Sequence, residues 1–429
     1  MKEERGHMSF ARIRNGVKAI FMNDENYNLA VYFTSNAVIT CATALSTNTF
    51  IKSFMVSSNF STEQIGVLDF IESLAMVIGC LLIVGITARV KNVVKSNALS
   101  TLFYLLIPIA IVIITLFQSQ LAQFSFLILA ISYGLQNLGL SFKQAISNKS
   151  MVNFIHPARI SGAMSVASVI GNLFSILMGT VSSAIMLIAF PSNYTLLFSL
   201  SVALFIVGTF LLSRYKVVNA DKAPTIKIER NPLKALVQLV KIRSCRNIMV
   251  THLTKGVFTT ATTYIIIVAY DHLQTTPVFP SYLFITSTVA TVLGATIFGF
   301  LNKKFKTGYF YAVGGILAAV FLALASATRD QFIFLALYFI AMLGEQFVNI
   351  SLPAGIYLNI DSNVLGSLSG ARMLVTYAGK GLSALALGYL LGTSIPVYLL
   401  FIVMGVIHLA GAALYFVTFR GEKLPDRPA

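Results

Sequence analysis

Lys380 is the only charge in TYAGKGLSALALGYLLG (376–392), a run otherwise built of small, apolar and hydroxyl residues. An ammonium group at the centre of an apolar slab costs about 2.5–3.5 kcal/mol or more, so it must meet a carboxylate, an anion or water. The AGKG within this run resembles the end of a phosphate-binding loop. Such a loop needs glycine five residues before Gly379 and Ser or Thr after the lysine, but Leu374 and Gly381 stand there, so nucleotide chemistry is excluded. Two more charges lie in apolar surroundings: Lys255 in THLTKGVFTT and Glu345 in AMLGEQFVNI. One glutamate with two lysines fits two uses. It can form an internal ion pair that only neutralises charge, or it can leave spare positive charge for an anionic solute while Glu345 gains and loses a proton. The five His are scattered and the three Cys show no framework spacing, so neither a metal, a cofactor, a disulfide set nor a catalytic constellation is expected, and the chain is read as no enzyme.

Uncharged polar residues recur at helical spacing around these charges. Asn36, Thr40, Thr43 and Thr47 fall on one helix face, as do Asn137, Ser141 and Gln144, with Gln136 alongside. Lys255, Thr259 and Thr262 form a third stripe, and Glu345, Gln346 and Asn349 a fourth. Single residues of this kind also join helices by hydrogen bonds worth roughly 0.6 kcal/mol each. Four stripes together favour a wetted pathway. His252 and His408 read as packing residues.

The elements that must carry these residues follow from composition. The chain has 429 residues, 56% hydrophobic and 11% charged, with mean hydropathy +0.80. A soluble domain carries about 25% charged residues, so this is an all-α integral membrane protein. Apolar runs predict twelve transmembrane helices near 29–50, 65–87, 99–117, 122–142, 162–190, 193–213, 248–270, 280–300, 309–327, 331–353, 369–391 and 396–419. The charged N-terminal segment has no apolar core close to Met1 and reads as no cleavable signal.

Lys and Arg favour the cytoplasmic side. With the N-terminus inside, the inner segments hold 26 of them and the outer loops two, Lys52 and Arg329. The net charge of +16 is therefore topology and not a nucleic-acid footprint. Both termini are expected in the cytoplasm of a bacterial inner (plasma) membrane. The organisation is a cytoplasmic segment 1–28, a six-helix half 29–213, a cytoplasmic loop 214–247, a second half 248–419 and a tail 420–429. Within the loop, KALVQLVKI predicts a basic helix on the membrane surface. By helical rise, Lys380 lies roughly 17 Å into its span, Glu345 roughly 21 Å and Lys255 roughly 11 Å, all at comparable depth. Asp69 and Glu72 are expected near the outer end of the second span, closer to water.

The halves repeat each other. SGAMSVASVIGNLFS (161–175) aligns with SGARMLVTYAGKGLS (369–383), GLQNLGLS (134–141) with GEQFVNIS (344–351), and FTSNAVITCAT (33–43) with LTKGVFTTATT (253–263). Parallel six-helix repeats around a midplane site are a transporter architecture.

On these features the chain resembles the major facilitator superfamily. That family's loop after its second helix follows Gly-x-Leu-x-Asp-Arg-x-Gly-Arg. GITARVKNVVK keeps Gly85 but has Arg89 at the acidic position, and GFLNKKFKTG keeps Gly299 but has Lys303 there. The glycine spacing of the family's drug–proton antiporters survives at Gly162, Gly171 and Gly179, although Ser175-Ile176 replaces Gly-Pro and Thr180 the last glycine. Their helix 4 arginine is absent, since Tyr133 precedes Gln136 at that spacing. The resemblance implies a central cavity lined by helices 1, 4, 7 and 10, the four that carry the stripes. It also implies alternating access, with Gly162, Gly171, Gly179, Gly370, Gly379 and Gly388 serving close packing and rocking.

The expectation is a monomeric secondary transporter of a small, anionic solute coupled to protons, in contact with membrane lipid and not with nucleic acid. A neutral-solute (sugar-like) permease, a multidrug efflux protein, and a non-transporting sensor or lipid-handling protein of this fold are the alternatives.

Overall fold

In hydrocarbon every backbone N–H and C=O must find a partner within the protein, which makes helices of apolar runs this long. The computed structural model describes residues 24–87, 92–155, 157–216, 232–273, 275–302, 304–359 and 362–419. Among these residues the chain forms Asp24–Leu45 (α1), Thr62–Thr87 (α2), Val93–Leu116 (α3, with a 3-10 turn at Leu102–Leu105), Ser125–Phe154 (α4), Pro157–Met186 (α5) and Ser192–Leu212 (α6). Arg243–His272 (α7), Phe279–Leu301 (α8), Thr307–Ala327 (α9), Gln331–Asn359 (α10), Ser362–Leu390 (α11) and Val397–Phe419 (α12) complete the twelve. All but α11 meet the length and hydropathy of a membrane crossing. At 29 residues α11 is long enough, but Lys380 and its glycines and hydroxyls lower its apolarity. The protein is an integral, multi-pass membrane protein.

The sequence repeat becomes a repeat of packing. In the first half α1 packs on α5 and α6, α2 on α4, and α3 on α4 and α6. In the second half α7 packs on α11 and α12, α8 on α10, and α9 on α10 and α12. The halves meet along α2/α11 and α5/α8, pairs related by the same repeat.

With twelve successive crossings, the start of α1 and the end of α12 lie on one face, called the termini face; the opposite one is the far face. A short helix, Asn48–Ser57, caps the far face and packs against α7 and α8. Contacts between the halves gather in the far-face half of the bundle and at its middle. Among them are Ser182 Oγ to Ser281 Oγ (3.1 Å), Ser53 Oγ with Tyr270 Oη (2.6 Å), Phe50 against Phe284, Lys52 over the Tyr264 ring, and Lys380 with Glu72. Lipid is as apolar as leucine, so helices associate by close approach of small residues. Where α2 crosses α11, a Cβ on Gly388 would stand 2.8 Å from the Gly66 Cα and 2.8 Å from the Thr62 carbonyl. Gly388→Val is therefore expected to wedge the far-face closure open. Modification of a cysteine introduced by Ser182→Cys, buried in this conformation, should become several-fold faster in that background.

The helix Pro232–Lys241 joins the halves at the termini face. It buries Leu239 against α7 and α11 while Val237 and Val240 remain exposed, consistent with a helix lying at the membrane surface.

Candidate functional site

Asp69 and Glu72 are three residues apart on α2, and so share a helix face. That face is turned inward. Asp69 accepts from Lys52 Nζ at 2.5 Å, with both side chains almost fully buried (1% and 4% exposed). Glu72 accepts from Lys380 Nζ at 2.5 Å through Oε1, while its buried Oε2 has no partner. The expected neighbour of Lys380, Glu345, is not its partner. Glu72 and Lys380 each lie ten residues from the far-face ends of their helices, Thr62 and Leu390, so both sit at about 15 Å depth. The expectation of a position close to water fails for Asp69 and Glu72 because each carboxylate is paired with a lysine inside the bundle, leaving the side chains 4% and 12% exposed. The cap helix corrects Lys52, which is no loop residue. It is buried within Asn48–Ser57, with its ammonium 4.5 Å from the Tyr264 ring centroid. Ser53, the next residue, joins Tyr194 and Tyr270 at 2.5 and 2.6 Å.

Lys255 and Glu345 form a separate group inside the second half. Lys255 Nζ donates to Asn349 Oδ1 at 2.5 Å, and Glu345, one turn before Asn349 on α10, attracts the same ammonium. The Arg372 guanidinium of α11 acts on Lys255 and on His252. Buried Glu345 Oε2 and Tyr311 Oη have no hydrogen-bond partner. His252 Nδ1 is tied to Thr376 Oγ1 at 3.1 Å, and His408 stacks on Phe258 with ring centroids 4.3 Å apart, so both imidazoles are packed as expected. One cation, Lys255, thus acts on one carboxylate whose second oxygen has no partner, and the Arg372 charge acts on that lysine.

The first half contributes Lys143, which the apolar runs place in a cytoplasmic loop. α4 continues to Phe154, keeping Lys143 inside the helix. Its Nζ donates to Asn97 O (3.1 Å), Asn97 Oδ1 (2.8 Å) and Thr101 Oγ1 (2.7 Å) on α3. Lys143 borders two cavities on the termini side of the Glu72–Lys380 pair. One of about 510 Å³ lies between α2, α3, α4 and α11, and one of about 140 Å³ reaches Asn36 of α1. The signal for this longer helix is the apolar-polar pattern continuing through AISNKSMVNF past the expected loop boundary.

The stripes divide between cavity and packing. Asn137 lines the larger cavity, and its amide donates to the Tyr133 carbonyl at 3.0 Å. Asn36 lines the smaller one and donates to Ala167 O of α5 at 3.2 Å, while Thr40 faces Gly171 beside it. Thr43 and Thr259 bond their own helices, to Ile39 O and Lys255 O. Gln136 accepts from the Ile107 N–H of α3 at 3.0 Å and so ties helices where the 3-10 turn frees a backbone donor. Gln346 packs on Gly294 of α8. Among the glycines, Gly179 faces Ile285 of α8 and Gly379 the Leu253 carbonyl of α7, both at close approach. At Gly299 and Gly370 nothing stands within 4 Å of an added Cβ, so neither serves close packing here. Gly85 ends α2, Gly162 lies in the early turns of α5, and Arg89 falls outside the described residues. At the termini face Lys216 donates to Asp24 at 2.7 Å. That hydrogen bond, with the Asp24 charge, raises Lys216 above the ordinary lysine range. The pair is solvent-exposed and adds little stability.

Within the described spans and the cap helix, Lys52, Lys143, Lys255, Arg372 and Lys380 outnumber Asp69, Glu72 and Glu345.

The Major Facilitator Superfamily model matches residues 29–384. Among solved structures, a mutant of the nucleoside transporter NupG aligns with TM-score 0.70 and 13% identity over 91% of this chain and 100% of that one. A bacterial homologue of the human lysosomal transporter Spinster, inward-facing and unoccupied, aligns at 0.65 and 12% over 94% and 99%. The E. coli fucose:proton symporter FucP aligns at 0.61 and 11% over 94% and 100%. At these identities the likeness is one of fold. No curated protein sequence matches the chain.

Proposed function

Because the chain belongs to the major facilitator superfamily and is a small-solute transporter, we propose that it moves an organic anion by alternating access, with Glu345 as the proton-coupling group. The termini face is cytoplasmic in this reading, as the clustering of Lys and Arg on that side requires. The present conformation is then closed outside and accessible from inside, since the contacts between the halves lie in the far-face half. The observation that supports the anion reading is the group in the second half, where Lys255 acts on one carboxylate with an unpartnered oxygen while a second cation, Arg372, acts on Lys255. An entering anion supplies the missing negative charge there, and Glu345 becomes free to take up a proton when Lys255 turns to the solute. Secondary transport through two rocking halves needs no nucleotide site, and the sequence offers none.

Proteoliposomes test this directly. Counterflow with a panel of organic anions, neutral sugars and hydrophobic cations is expected to favour the anions. Lys255→Met is expected to abolish counterflow. Glu345→Gln is expected to keep counterflow but lose accumulation driven by a pH gradient. Accumulation that survives in Glu345→Gln would remove the coupling assignment. A preference for neutral or cationic solutes would remove the anion one.

A further inference from the structure

Lys143 is a half-buried cation with no part in the transport cycle proposed for Lys255 and Glu345. Its three ammonium protons are all spent on neutral oxygens of α3, and no carboxylate among the described residues lies within ion-pair distance. The other two cross-linking lysines, Lys52 and Lys380, each have a carboxylate at 2.5 Å. Neutral acceptors orient an ammonium but leave its charge in place, and a buried charge without a counter-ion is costly. Lys143 also borders both cavities, and Glu72, the one acidic residue on the wall of the larger, is held by Lys380. The wall of that cavity therefore holds one cation without a carboxylate partner, Lys143, and one carboxylate already neutralised by Lys380 from behind.

We propose that Lys143 anchors the carboxylate of a small, largely apolar organic monoanion in the 510 Å³ cavity. One ammonium with no arginine beside it suits a single carboxylate, whereas a doubly charged phosphate would call for a guanidinium fork or several cations. Asn137, Gln144 and the hydroxyls of Tyr104 and Tyr377 offer donors next to it, and Met76 and Leu140 with the tyrosine rings offer an apolar bed for the body. This assignment extends the anion-transport reading to the first half of the same pathway and rests on that reading for its role. Binding is measured apart from transport, so the two ideas fail separately.

The test is equilibrium binding to the purified, full-length protein, by calorimetry and thermal stabilisation. The probes are hexanoate, benzoate, the neutral isostere benzamide, benzylamine, inorganic phosphate and chloride. Hexanoate and benzoate are expected to bind and stabilise. Benzamide should bind about tenfold to a hundredfold more weakly, the scale of a charge-assisted hydrogen bond that the carboxylate takes over from the Asn97 carbonyl. Lys143→Gln should lose the carboxylate response and Lys143→Arg should retain it. A purely structural clamp between α3 and α4 predicts instead that Lys143→Gln lowers stability while any carboxylate response is unchanged. Equal binding of benzoate and benzamide, no response to either carboxylate, or an unchanged response in Lys143→Gln overturns the proposal. Phosphate or chloride matching benzoate overturns its organic class. If Lys143→Gln does not fold, the ranking of the probes on the native protein and on Lys143→Arg decides alone. Carboxylate-selective binding supports the site whatever counterflow shows, and counterflow tests transport.

Discussion

Lys380→Met is expected to destabilise the protein by about 3–5 kcal/mol, because it strands a buried carboxylate. Glu72 has a single partner, the Lys380 ammonium at 2.5 Å, and its second oxygen is already without one. The side chains are only 9% and 12% exposed, so water in the neighbouring cavity can replace no more than part of the lost ion. Glu72→Gln should cost a similar amount by stranding the lysine instead. The double variant removes both charges and should recover most of the loss, since replacing a whole buried pair by uncharged groups is often near neutral. Thermal unfolding of the three variants gives the coupling directly. Losses that simply add would show that the two groups do not act as a pair. The pair also joins the two halves, so the double variant should hold the far face closed less firmly. Faster modification of a cysteine placed by Ser182→Cys, in the unliganded protein, reads that shift.

Lys52→Met is the second large effect, expected at about 3–5 kcal/mol for the same reason, with Asp69 left alone in the wall of the bundle. Its consequence differs because the Lys52–Asp69 pair lies within the first half. The only reach of Lys52 across the interface among the described contacts is the ring of Tyr264 at 4.5 Å. Tyr264→Leu should therefore cost less, with a cation–π share of about 0.5–2 kcal/mol, and should not add fully to Lys52→Met. Asp69→Asn together with Lys52→Met should restore stability. A stable Lys52→Met single variant would mean that water enters beneath the cap helix.

Class, span count and the division into two halves were legible in the residues alone. Lipid imposes helix on any apolar run of sufficient length, and hydropathy is a local property. The repeat was legible for a related reason: equivalent helices meet equivalent neighbours, so SGAMSVASVIGNLFS and SGARMLVTYAGKGLS face the same packing problem on α5 and α11. Basic residues outside the spans carry a topology expectation as well. Lys52 counts against the rule when read as a loop residue, and its burial in the cap helix leaves Arg329 as the sole exception. The charge partners were not legible. Glu72 and Lys380 are 308 positions apart, and only the crossing of α2 with α11, set by Gly66 against Gly388, brings them level. Residue types announced that Lys380 needed a partner, but Glu345 fitted by charge and expected depth while Glu72 was expected nearer water. Lys143 and Gln136 illustrate the same limit. One lies inside α4 because the helix continues through polar residues that α3 satisfies, and the other serves a donor released by a 3-10 turn on that neighbour. Solvent acts on each segment by itself, so its effect can be read along the chain. Pairing depends on which faces meet, and that was decided only by the packed helices.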